Sequence, residues 1–430
     1  MPQKTHFTSE ITPDLDGREV ALAGWVWEIR DLGKVKFVIL RDRDGMIQLT
    51  FKPGKTPESL LELVSSLNKE DVIAVRGIVA ASKIARAGVE VFPQELSILA
   101  KAKPLPVDIW NNTSDLPTRL KYRAVDLKNP RNLAIFTLAS EILRAIRDTL
   151  YRHKFIEVFT PKIISTSTEG GAELFTVLYF ERVAYLAQSP QLYKEQLTAS
   201  LERVFEIAPA YRAERHNTDY HLNEFISIDG EAAFMNYRDI MDVLEDLMRS
   251  VVSVVKSRED RLKRWGLRPA LEDVSGIPRV EYEEALAKLR SLGYDVKWGD
   301  DLNVEMQRAL MKYYGPLYFI TDFPADLRPF YTKRSEEDPK KSESYDLILN
   351  GIEIVSGATR VHTREVLEAE MRRRSLDPSA FEGHLSVFDW GMPPHAGFGL
   401  GFNRLLMALL GLENVREAVL YPRDRYRLEP

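Results

Sequence analysis

The 430-residue sequence contains no cysteine. This absence excludes disulfide bonds, thiolate zinc sites, iron–sulfur clusters and a cysteine nucleophile. Long apolar runs are missing too, since no stretch approaches the roughly 20 residues that a membrane-spanning helix needs. The N-terminal residues lack the apolar core of a secretory signal peptide. We therefore expect a cytoplasmic protein that has no membrane partner.

Common hydrolase motifs are also absent. Only seven histidines occur, none of them in an HExxH zinc motif, and no serine stands in a GxSxG elbow. The formal net charge of −5 shows no sign of the basic field that many nucleic-acid-binding proteins carry. Any binding of RNA would therefore have to depend on local basic patches.

The first hundred residues have the pattern of a small β-barrel. Short strands are predicted at 24–30, 36–41 and 46–51, and the Asp44-Gly45 pair is typical of a hairpin turn. Apolar residues at helical spacing follow near 57–67, and two more strands near 71–79 and 89–98. Three strands, a helix and two strands is the order of an OB-fold, although this pattern alone leaves other small barrels open.

After residue 130 the pattern changes to strands mixed with helices. Helices are predicted near 237–265, 280–292 and 363–375, without regular βαβ alternation, which favours an α+β domain built on an antiparallel sheet. A chain of 430 residues also exceeds what one hydrophobic core usually serves. We predict a barrel domain at 1–103, a hinge or linker at 104–130, and a larger domain at 131–430 with a helical insertion at roughly 237–345.

Two arginine-bearing motifs stand far apart in the chain. Arg212 opens the segment 212–225, and Arg404 follows three alternating glycines at 397, 399 and 401. A guanidinium presents a rigid fork that matches phosphate oxygens. Glycines let a ligand approach the backbone, and a helix N-terminus favours anions. Each arginine alone is as readily a surface residue, but the pair is typical of a site that binds both ends of a nucleoside triphosphate.

Other charged residues suggest partners for such a site. Asp346 and Glu353, with Ser356, stand among apolar residues and suit Mg²⁺, which favours one or two carboxylates together with phosphate and water. A strand with outward acidic residues is the alternative. Lys194 and Arg360 would suit a substrate carboxylate if they converge, whereas a solvated helix lysine is the ordinary interpretation of Lys194.

Together these motifs resemble those of class IIb aminoacyl-tRNA synthetases, and over nearly the whole chain the sequence resembles the aspartyl-tRNA synthetases of archaeal and eukaryotic type. The resemblance implies an OB-fold anticodon-binding domain followed by a class II catalytic domain, an antiparallel sheet flanked by helices. It implies a ligase that activates L-aspartate with Mg·ATP and transfers it to the 3′ end of tRNA(Asp). A relaxed form that also charges tRNA(Asn) is the alternative. Residues 155–161 resemble motif 1, which implies a homodimer.

The resemblance also implies roles for individual residues. The catalytic residues would be Arg212 and Arg404. Mg²⁺ would be held by Asp346, Glu353 and Ser356, and no zinc is expected. ATP would be bound by Arg212, Glu214, His221, Phe225, Glu353 and Arg404. Aspartate would be bound by Glu169, Ser189, Gln191, Lys194, Asp229, Ser356 and Arg360. The anticodon would be bound by Trp27, Arg30, Phe37, Gln48, Arg86 and Glu90.

The sequence departs from this family just before Arg404, where a small residue and a glutamate often stand. Phe402 and Asn403 occupy these positions. Because Asn403 carries no charge, the ion pair of a glutamate would be missing, and we expect altered tuning of activity without its loss. We also expect asparagine to leave Lys194 and Arg360 without an anionic partner, which favours aspartate as substrate. Trp27 and Arg86 favour the strict form over the relaxed one.

Overall fold

The computed structural model of the protein describes residues 3–165, 174–215, 218–269, 271 and 274–429. The chain divides into two units, Met1–Asp108 and Ile109–Pro430. The second unit thus begins inside the segment 104–130, and the domain boundaries given above stay predictions. Among the helices described, none combines the length and apolar character that crossing a bilayer requires.

The N-terminal unit is built on five strands and one short helix. Its elements are β1 (Glu19–Asp31), β2 (Lys36–Arg41), β3 (Met46–Phe51), α1 (Glu58–Leu63), β4 (Val72–Ala81) and β5 (Val89–Ala100). The strands close into a barrel in the order β1-β2-β3-β5-β4. Alternate side chains point inward, so Val26, Val38, Leu49 and Val91 fill the core while their neighbours face outward. The predicted OB-fold order is confirmed.

The second unit contains eleven strands in its described part. They are β6 (Ile156–Glu157), β7 (Ile163–Ile164), β8 (Thr176–Tyr179), β9 (Arg182–Leu186), β10 (Arg203–Tyr211), β11 (Glu224–Ala233), β12 (Arg279–Glu281), β13 (Leu317–Thr321), β14 (Ser344–Leu349), β15 (Ile352–Thr359) and β16 (His395–Gly401). Eight of them form one sheet in the order β12-β13-β14-β15-β16-β11-β10-β6, and β7, β9 and β8 form a small second sheet. All neighbours in the large sheet are antiparallel except β12 with β13 and β6 with β10.

Helices surround this sheet. They are α2 (Leu116–Lys121), α3 (Arg123–Asp126), α4 (Pro130–Arg152), α5 (Gln191–Leu201), α6 (Tyr237–Ser257), α7 (Glu259–Arg264), α8 (Tyr282–Ser291), α9 (Val304–Tyr314), α10 (Arg364–Arg373), α11 (Glu382–Leu385) and α12 (Phe402–Leu410). The helices predicted near 237–265, 280–292 and 363–375 correspond to α6 with α7, to α8 and to α10. The predicted α+β class with an antiparallel sheet is confirmed.

The two faces of the large sheet differ in chemistry because side chains alternate along each strand. One face packs on α4, α6 and α12, and its core includes Ile228 and Ala232 of β11 and Phe398 of β16. The intervening residues of β11, among them Asp229 and Glu231, belong to the opposite face. Polar groups are thereby collected on one side of the sheet.

Candidate active site

The pairing register of four neighbouring strands brings the polar residues of the sheet together on one face. Asp229 on β11 lies opposite Gly399 on β16, which lies opposite Ser356 on β15, which in turn lies opposite Asp346 on β14. Residues that face each other across neighbouring strands share one side of a sheet. Four positions separated by up to 170 residues therefore form a single cross-strand row.

Strand β16 of this row carries glycines at positions 397, 399 and 401. A Cβ added at Gly397 would come within 2.2 Å of Glu231 Oε2, and one at Gly399 within 3.2 Å of Asp229 Oδ1. The glycines therefore make room for carboxylates of the neighbouring strand. They lie within β16, which leads directly into α12 with Gly401 as the N-cap residue, and Gly399 and Gly401 line the cavity above the sheet.

A cavity of about 290 Å³ lies over this face. It brings together most of the residues predicted for ATP and amino-acid binding. Its lining includes Ser189, Gln191, Arg212, Glu214, His221, Phe225, Asp229, Glu353, Ser356, Arg360 and Arg404. Two predicted residues, Lys194 and Asp346, are buried and do not line it. Glu169 lies outside the described residues.

Arg212 and Arg404 meet at one end of this cavity. Arg212 follows the last residue of β10, and its guanidinium carbon lies 5.4 Å from the ring centre of Phe225. Arg404 stands in the first turn of α12 and donates from Nε to the carbonyl of Tyr220 at 3.2 Å. The positive charges of both guanidinium groups favour the ionised form of Glu353 and so oppose the rise of its pKa. Both arginines therefore line one cavity, and their binding of a single ATP stays a prediction.

The segment between β10 and β11 is held by one asparagine side chain. Asn223 donates to the carbonyls of Arg212 and Glu214 at 2.8 and 3.1 Å. His221 Nε2 lies 3.7 Å from Glu214 Oε2 and its Nδ1 lies 2.6 Å from Thr218 Oγ1. The polar groups of the segment are thus fixed beside the cavity.

At the other end of the cavity, Lys194 and Arg360 share a carboxylate. Lys194 Nζ lies 3.3 Å from Glu231 Oε2 and 3.2 Å from Asp229 Oδ1. Arg360 contacts Glu231 through Nε at 2.9 Å and through Nη2 at 3.3 Å. The two cations do converge, but the expectation that asparagine would leave them without an anionic partner is wrong, because Glu231 and Asp229 already compensate them.

Lys194 is placed beneath the cavity wall. Its side chain is 3% exposed, and the ammonium also donates to the carbonyl of Phe398 at 2.8 Å. A buried ammonium needs several acceptors to replace its hydration, and the interior strands β11 and β16 supply them. The ordinary interpretation as a solvated helix lysine is wrong. Its role in aspartate binding stays a prediction, and any such role acts through Asp229 or Glu231.

Asp346 and Glu353 form an acidic pair among three arginines. Burial and the neighbouring charge of Asp346 raise the pKa of Glu353 to about 7, against the opposing effect of Arg404, Arg328 and Arg212. Asp346 Oδ1 is buried without a hydrogen-bond partner in the described part of the chain. Two such carboxylates fit Mg²⁺, which takes its remaining ligands from water and phosphate. The described residues contain no cluster of three or more acidic or histidine ligands.

Arg328 is a site residue that the sequence analysis missed. It lines the cavity, donates from Nη1 to Ser356 Oγ at 3.2 Å and places Nη2 2.9 Å from Asp346 Oδ2. Its guanidinium lies 3.8 Å over the ring of Phe323. No motif marks this arginine, and the one available signal is its place before the aromatic run Phe330-Tyr331. Arg328 therefore places a positively charged side chain beside Asp346 and Glu353.

Asn403 has a structural role that explains its departure from the family pattern. Its Oδ1 accepts from the backbone N–H of Ile226 at 2.8 Å, and its Nδ2 donates to the carbonyl of Ala418 at 3.0 Å. The side chain thus links α12 to β11 and to the segment after the helix. A glutamate can accept but not donate, so it would not make both contacts.

Four of the predicted anticodon residues share the outer face of the barrel. Arg30 lies opposite Phe37 across β1 and β2, and Gln48 lies opposite Glu90 across β3 and β5, with Gln48 Nε2 donating to Glu90 at 3.2 Å. Thr50 connects the pairs, since it lies opposite Phe37 and donates to Glu90. The result is a half-buried aromatic ring beside polar groups.

The two residues predicted to set tRNA specificity lie elsewhere on the barrel. The pairing of β1 with β2 shifts between Val26 and Glu28, which leaves Trp27 as the extra residue of a bulge. A bulge turns a side chain away from regular alternation. Arg86 is exposed in the turn between β4 and β5.

Residues 155–161, which resemble motif 1, expose an aromatic side chain. The predicted strand is short, because only Ile156 and Glu157 pair with β10. Phe159 beyond it is 83% exposed. Together with Trp390, which is 78% exposed, it lines an apolar groove against α5. An exposed apolar groove of this kind is typical of an interaction surface.

Comparison with known proteins agrees with this geometry. The family described as tRNA synthetases class II (D, K and N) matches residues 115–425, and the OB-fold nucleic acid binding domain matches residues 20–99. The chain belongs to the class II tRNA synthetases. The aspartate–tRNA(Asp) ligase of Pyrobaculum aerophilum is 68% identical to this synthetase over 100% of both chains.

Two further relatives of the synthetase differ in what their names state. The aspartate–tRNA(Asp/Asn) ligase of Sulfurisphaera tokodaii is 48% identical over 99% of this chain and 100% of its own. The crystal structure of asparaginyl-tRNA synthetase from Pyrococcus horikoshii complexed with asparaginyl-adenylate has a TM-score of 0.94 and 33% identity, and covers 100% of both chains. The family uses ATP with Mg²⁺, which agrees with the acidic pair.

Replacement of Asn403 by aspartate should destabilise the synthetase. The variant keeps the acceptor for Ile226 but turns a buried carboxylate oxygen toward the carbonyl of Ala418, at a cost of about 1–3 kcal/mol. Thermal unfolding of native and N403D protein measures the effect. Asn303→Asp is the matched control, because Asn303 only accepts from the N–H of Met306 at the start of α9, which aspartate does equally well. Equal melting temperatures for N403D and native protein would contradict this role.

The pH dependence of stability should reveal the acidic pair. Between about pH 5 and 7 the unfolded chain has released the proton of Glu353. The folded protein still retains this proton, because the pKa of Glu353 is raised to about 7. Stability therefore falls as pH rises through this window. Without Mg²⁺, Glu353→Gln should be more stable than the native protein at pH 8 by about 1–3 kcal/mol, and equal to it near pH 4.5.

Thermal unfolding at the two pH values measures this difference, and added Mg·ATP should stabilise the native protein more than the variant. The same substitution at the exposed Glu365 is the control and should change neither result. A Glu353→Gln protein that is no more stable at pH 8 would show that the pair is already compensated.

Proposed function

We propose that this synthetase is an aspartate–tRNA ligase that activates L-aspartate with ATP and transfers it to tRNA(Asp). The observation that carries the proposal is one cavity with two differently charged ends. One end presents Arg212 and Arg404 beside Glu353, and the other presents Arg360 with its partner Glu231. The high identity to a relative named as an aspartate–tRNA(Asp) ligase supports the same substrate.

The reaction has two steps and requires no side-chain nucleophile. A carboxylate oxygen of the aspartate α-carboxyl group attacks the α-phosphorus of ATP, and the bond to the bridging oxygen breaks to release pyrophosphate. A hydroxyl of the terminal adenosine of tRNA then attacks the carbonyl carbon of the aspartyl-adenylate. An ester forms, AMP leaves, and the hydroxyl proton passes to solvent. Catalysis depends on positioning and on neutralising phosphate charge.

The two arginines would carry that neutralisation. We assign the α-phosphate to Arg212, beside Phe225, and the γ-phosphate to Arg404 in the first turn of α12. The ring of Phe225 would stack on the adenine, and Glu214 would accept from its amino group. Asp346, Glu353 and Ser356 would hold Mg²⁺, which would supply further positive charge for the phosphates.

The amino-acid end would recognise aspartate through Arg360. Its Nε and Nη2 contact Glu231, whereas Nη1 has no acceptor within the described residues, so Nη1 can donate to the substrate carboxylate. Ser189, Gln191, Asp229 and Ser356 line the same cavity. Glu169 and Lys194 keep their predicted roles as hypotheses.

The outer face of the barrel would read the anticodon. Phe37 supplies a ring for stacking, which is worth roughly 1–3 kcal/mol per base for any base. Arg30, Gln48 and Glu90 surround it and can hydrogen-bond to base edges. For the choice between tRNA(Asp) and tRNA(Asn) we keep the strict form, which rests on Trp27 and Arg86. Relatives of both kinds exist.

We also propose a homodimer formed through the groove lined by Phe159 and Trp390. A monomer would leave both aromatic side chains about four-fifths exposed to water, which is unfavourable in free energy. A symmetric contact between the same groove of two copies would bury these side chains. The groove also contains Pro161, Tyr193 and Leu197, which extend the apolar area.

ATP–pyrophosphate exchange tests the activation step. Exchange should require L-aspartate and should not proceed with L-asparagine. Arg404→Ala should lower the rate by about 10²- to 10³-fold because it removes a guanidinium aimed at developing charge. Arg144→Ala, which removes an arginine that is 85% exposed on α4, is the control and should leave the rate unchanged. Exchange that depends on asparagine and not on aspartate would overturn the substrate assignment.

Charging of purified tRNA(Asp) and tRNA(Asn) tests the transfer step. The strict form predicts that only tRNA(Asp) is charged. Comparable charging of both tRNAs would show the relaxed form. Exchange without charging of either tRNA would show an adenylate-forming enzyme with a different acceptor.

Sedimentation of the native protein and of single variants tests the dimer. The native chain should sediment as a dimer, and Phe159→Asp or Trp390→Asp should shift it to monomer because each places a charge in the apolar groove. Leu428→Asp is the control, since Leu428 is equally exposed at 83% but stands outside the groove. A dimer that survives both groove variants would place the interface elsewhere.

A further inference from the structure

Helix α5 carries a buried carboxylate that the proposed mechanism does not use. Glu195 is completely buried and follows Gln191 by one helical turn. Gln191 Nε2 donates to Glu195 Oε1 at 2.5 Å. Gln191 in turn lines the cavity, whereas Glu195 does not. Glu195 therefore contacts the lining of the substrate site through Gln191.

Two buried imidazoles face the other oxygen of Glu195. His384 Nε2 lies 3.5 Å and His395 Nε2 lies 3.7 Å from Oε2. These three atoms have no closer hydrogen-bond partner in the described part of the chain. His395 Nδ1 lies 2.8 Å from the carbonyl of Pro393, so that nitrogen carries a proton. His384 Nδ1 accepts from the amide of Gln196 at 3.2 Å, which leaves the proton of His384 on Nε2, facing Glu195.

The charge balance of the surrounding core keeps Glu195 ionised. The cations Lys194 and Arg360 are compensated by Asp229 and Glu231. His384, which directs Nε2–H at Oε2, therefore stabilises the remaining negative charge, and His395 adds to this when its Nε2 is also protonated. Burial opposes that charge, yet the two neighbouring imidazoles hold the pKa of Glu195 below its usual range.

An ionised carboxylate fixes the orientation of an amide beside it. Carboxylate oxygens only accept hydrogen bonds, so Gln191 can face Glu195 only with its NH₂ group. The carbonyl oxygen of Gln191 is then turned away from Glu195. A glutamine at position 195 would turn its carbonyl oxygen toward the Nε2–H of His384 and its NH₂ group toward Gln191, so Gln191 would face it with the carbonyl oxygen.

We propose that Glu195, held by His384 and His395, is a positioning residue that fixes the Gln191 amide with its carbonyl oxygen toward the ammonium group of the amino-acid substrate. The inference rests on the proposed function, because that function supplies an amino acid to this end of the cavity. Recognition of the ammonium group is then set by a residue that never contacts the substrate.

Substitution of Glu195 by glutamine tests the orientation while keeping the shape of the side chain. In ATP–pyrophosphate exchange, E195Q should raise KM for aspartate by about 10- to 100-fold, the range expected for loss of a hydrogen bond to a charged group, while KM for ATP stays unchanged. Glu370→Gln is the matched control. It makes the same change at a buried carboxylate that contacts Arg334 and Arg374, outside the cavity, and should leave both constants unchanged.

Succinate separates orientation from general damage to the pocket. It has both carboxylates of aspartate but no ammonium group, so its inhibition constant against aspartate should be the same for native and E195Q protein. The exchanged pair Q191E/E195Q provides a rescue. A carboxylate at position 191 accepts from the amide at position 195 and still presents an oxygen to the cavity, so KM for aspartate should return most of the way to the native value.

The outcomes distinguish the two proposals. An unchanged KM for aspartate in E195Q, an equal rise in the inhibition constant of succinate, or a failure of the exchanged pair to recover would overturn the positioning role while native exchange persists. Absence of aspartate-dependent exchange in the native protein would overturn the proposed function and this inference with it.

Discussion

The shared carboxylate of Glu231 is the contact on which the amino-acid end of the site depends. It joins Lys194 of α5 to Arg360, which follows β15. The side chain of Glu231 occupies the space that a Cβ at position 397 would need, and Gly397 leaves that space open. All three charged side chains are almost completely buried. Loss of one partner would leave an uncompensated buried charge, which costs about 3–5 kcal/mol. The sheet and the helix are therefore held together by the same charges that face the substrate.

The two ends of the cavity differ in how far their charges are balanced. At the amino-acid end the cations and carboxylates compensate one another without a ligand. At the other end Arg212, Arg328 and Arg404 surround two carboxylates that repel each other, and the pKa of Glu353 rises to about 7. Such an end, with three cations and two carboxylates close together, is suited to receive phosphate together with a metal cation. The first arrangement suits selection of a substrate, and the second suits stabilisation of charge that moves during the reaction.

Much of this site follows from the sequence because its residues obey local periodicity. Phe225 and Asp229 share one face of a strand by their even spacing, and the barrel core at Val38 and Leu49 follows from alternation. The sequence could not show that Glu231 compensates both cations, because that depends on strand register and on the space above Gly397. Arg328 was missed for the same reason, since its contacts to Asp346 and Ser356 join parts of the chain that no motif connects.

The compensated charges also change how aspartate can be told from asparagine. The same fold serves an asparaginyl enzyme at 33% identity, so the fold alone does not decide between aspartate and asparagine. Unpaired cations cannot provide this discrimination, because Lys194 and Arg360 are already paired with carboxylates. The hydrogen-bond acceptors near the substrate side chain have a larger effect on the discrimination. Both oxygens of Asp229 and both of Glu231 already face a donor, namely Ser227, Lys194 or Arg360.

The NH₂ group of an asparagine substrate would therefore enter a site whose nearby acceptors are engaged, beside a guanidinium that can only donate. A carboxylate in the same place meets that donor with both of its oxygens. A site that leaves a buried polar group unmatched can reject a close analogue by orders of magnitude, even when the analogue has the same shape. Selection of aspartate is then favoured by the one guanidinium nitrogen of Arg360 that Glu231 does not occupy.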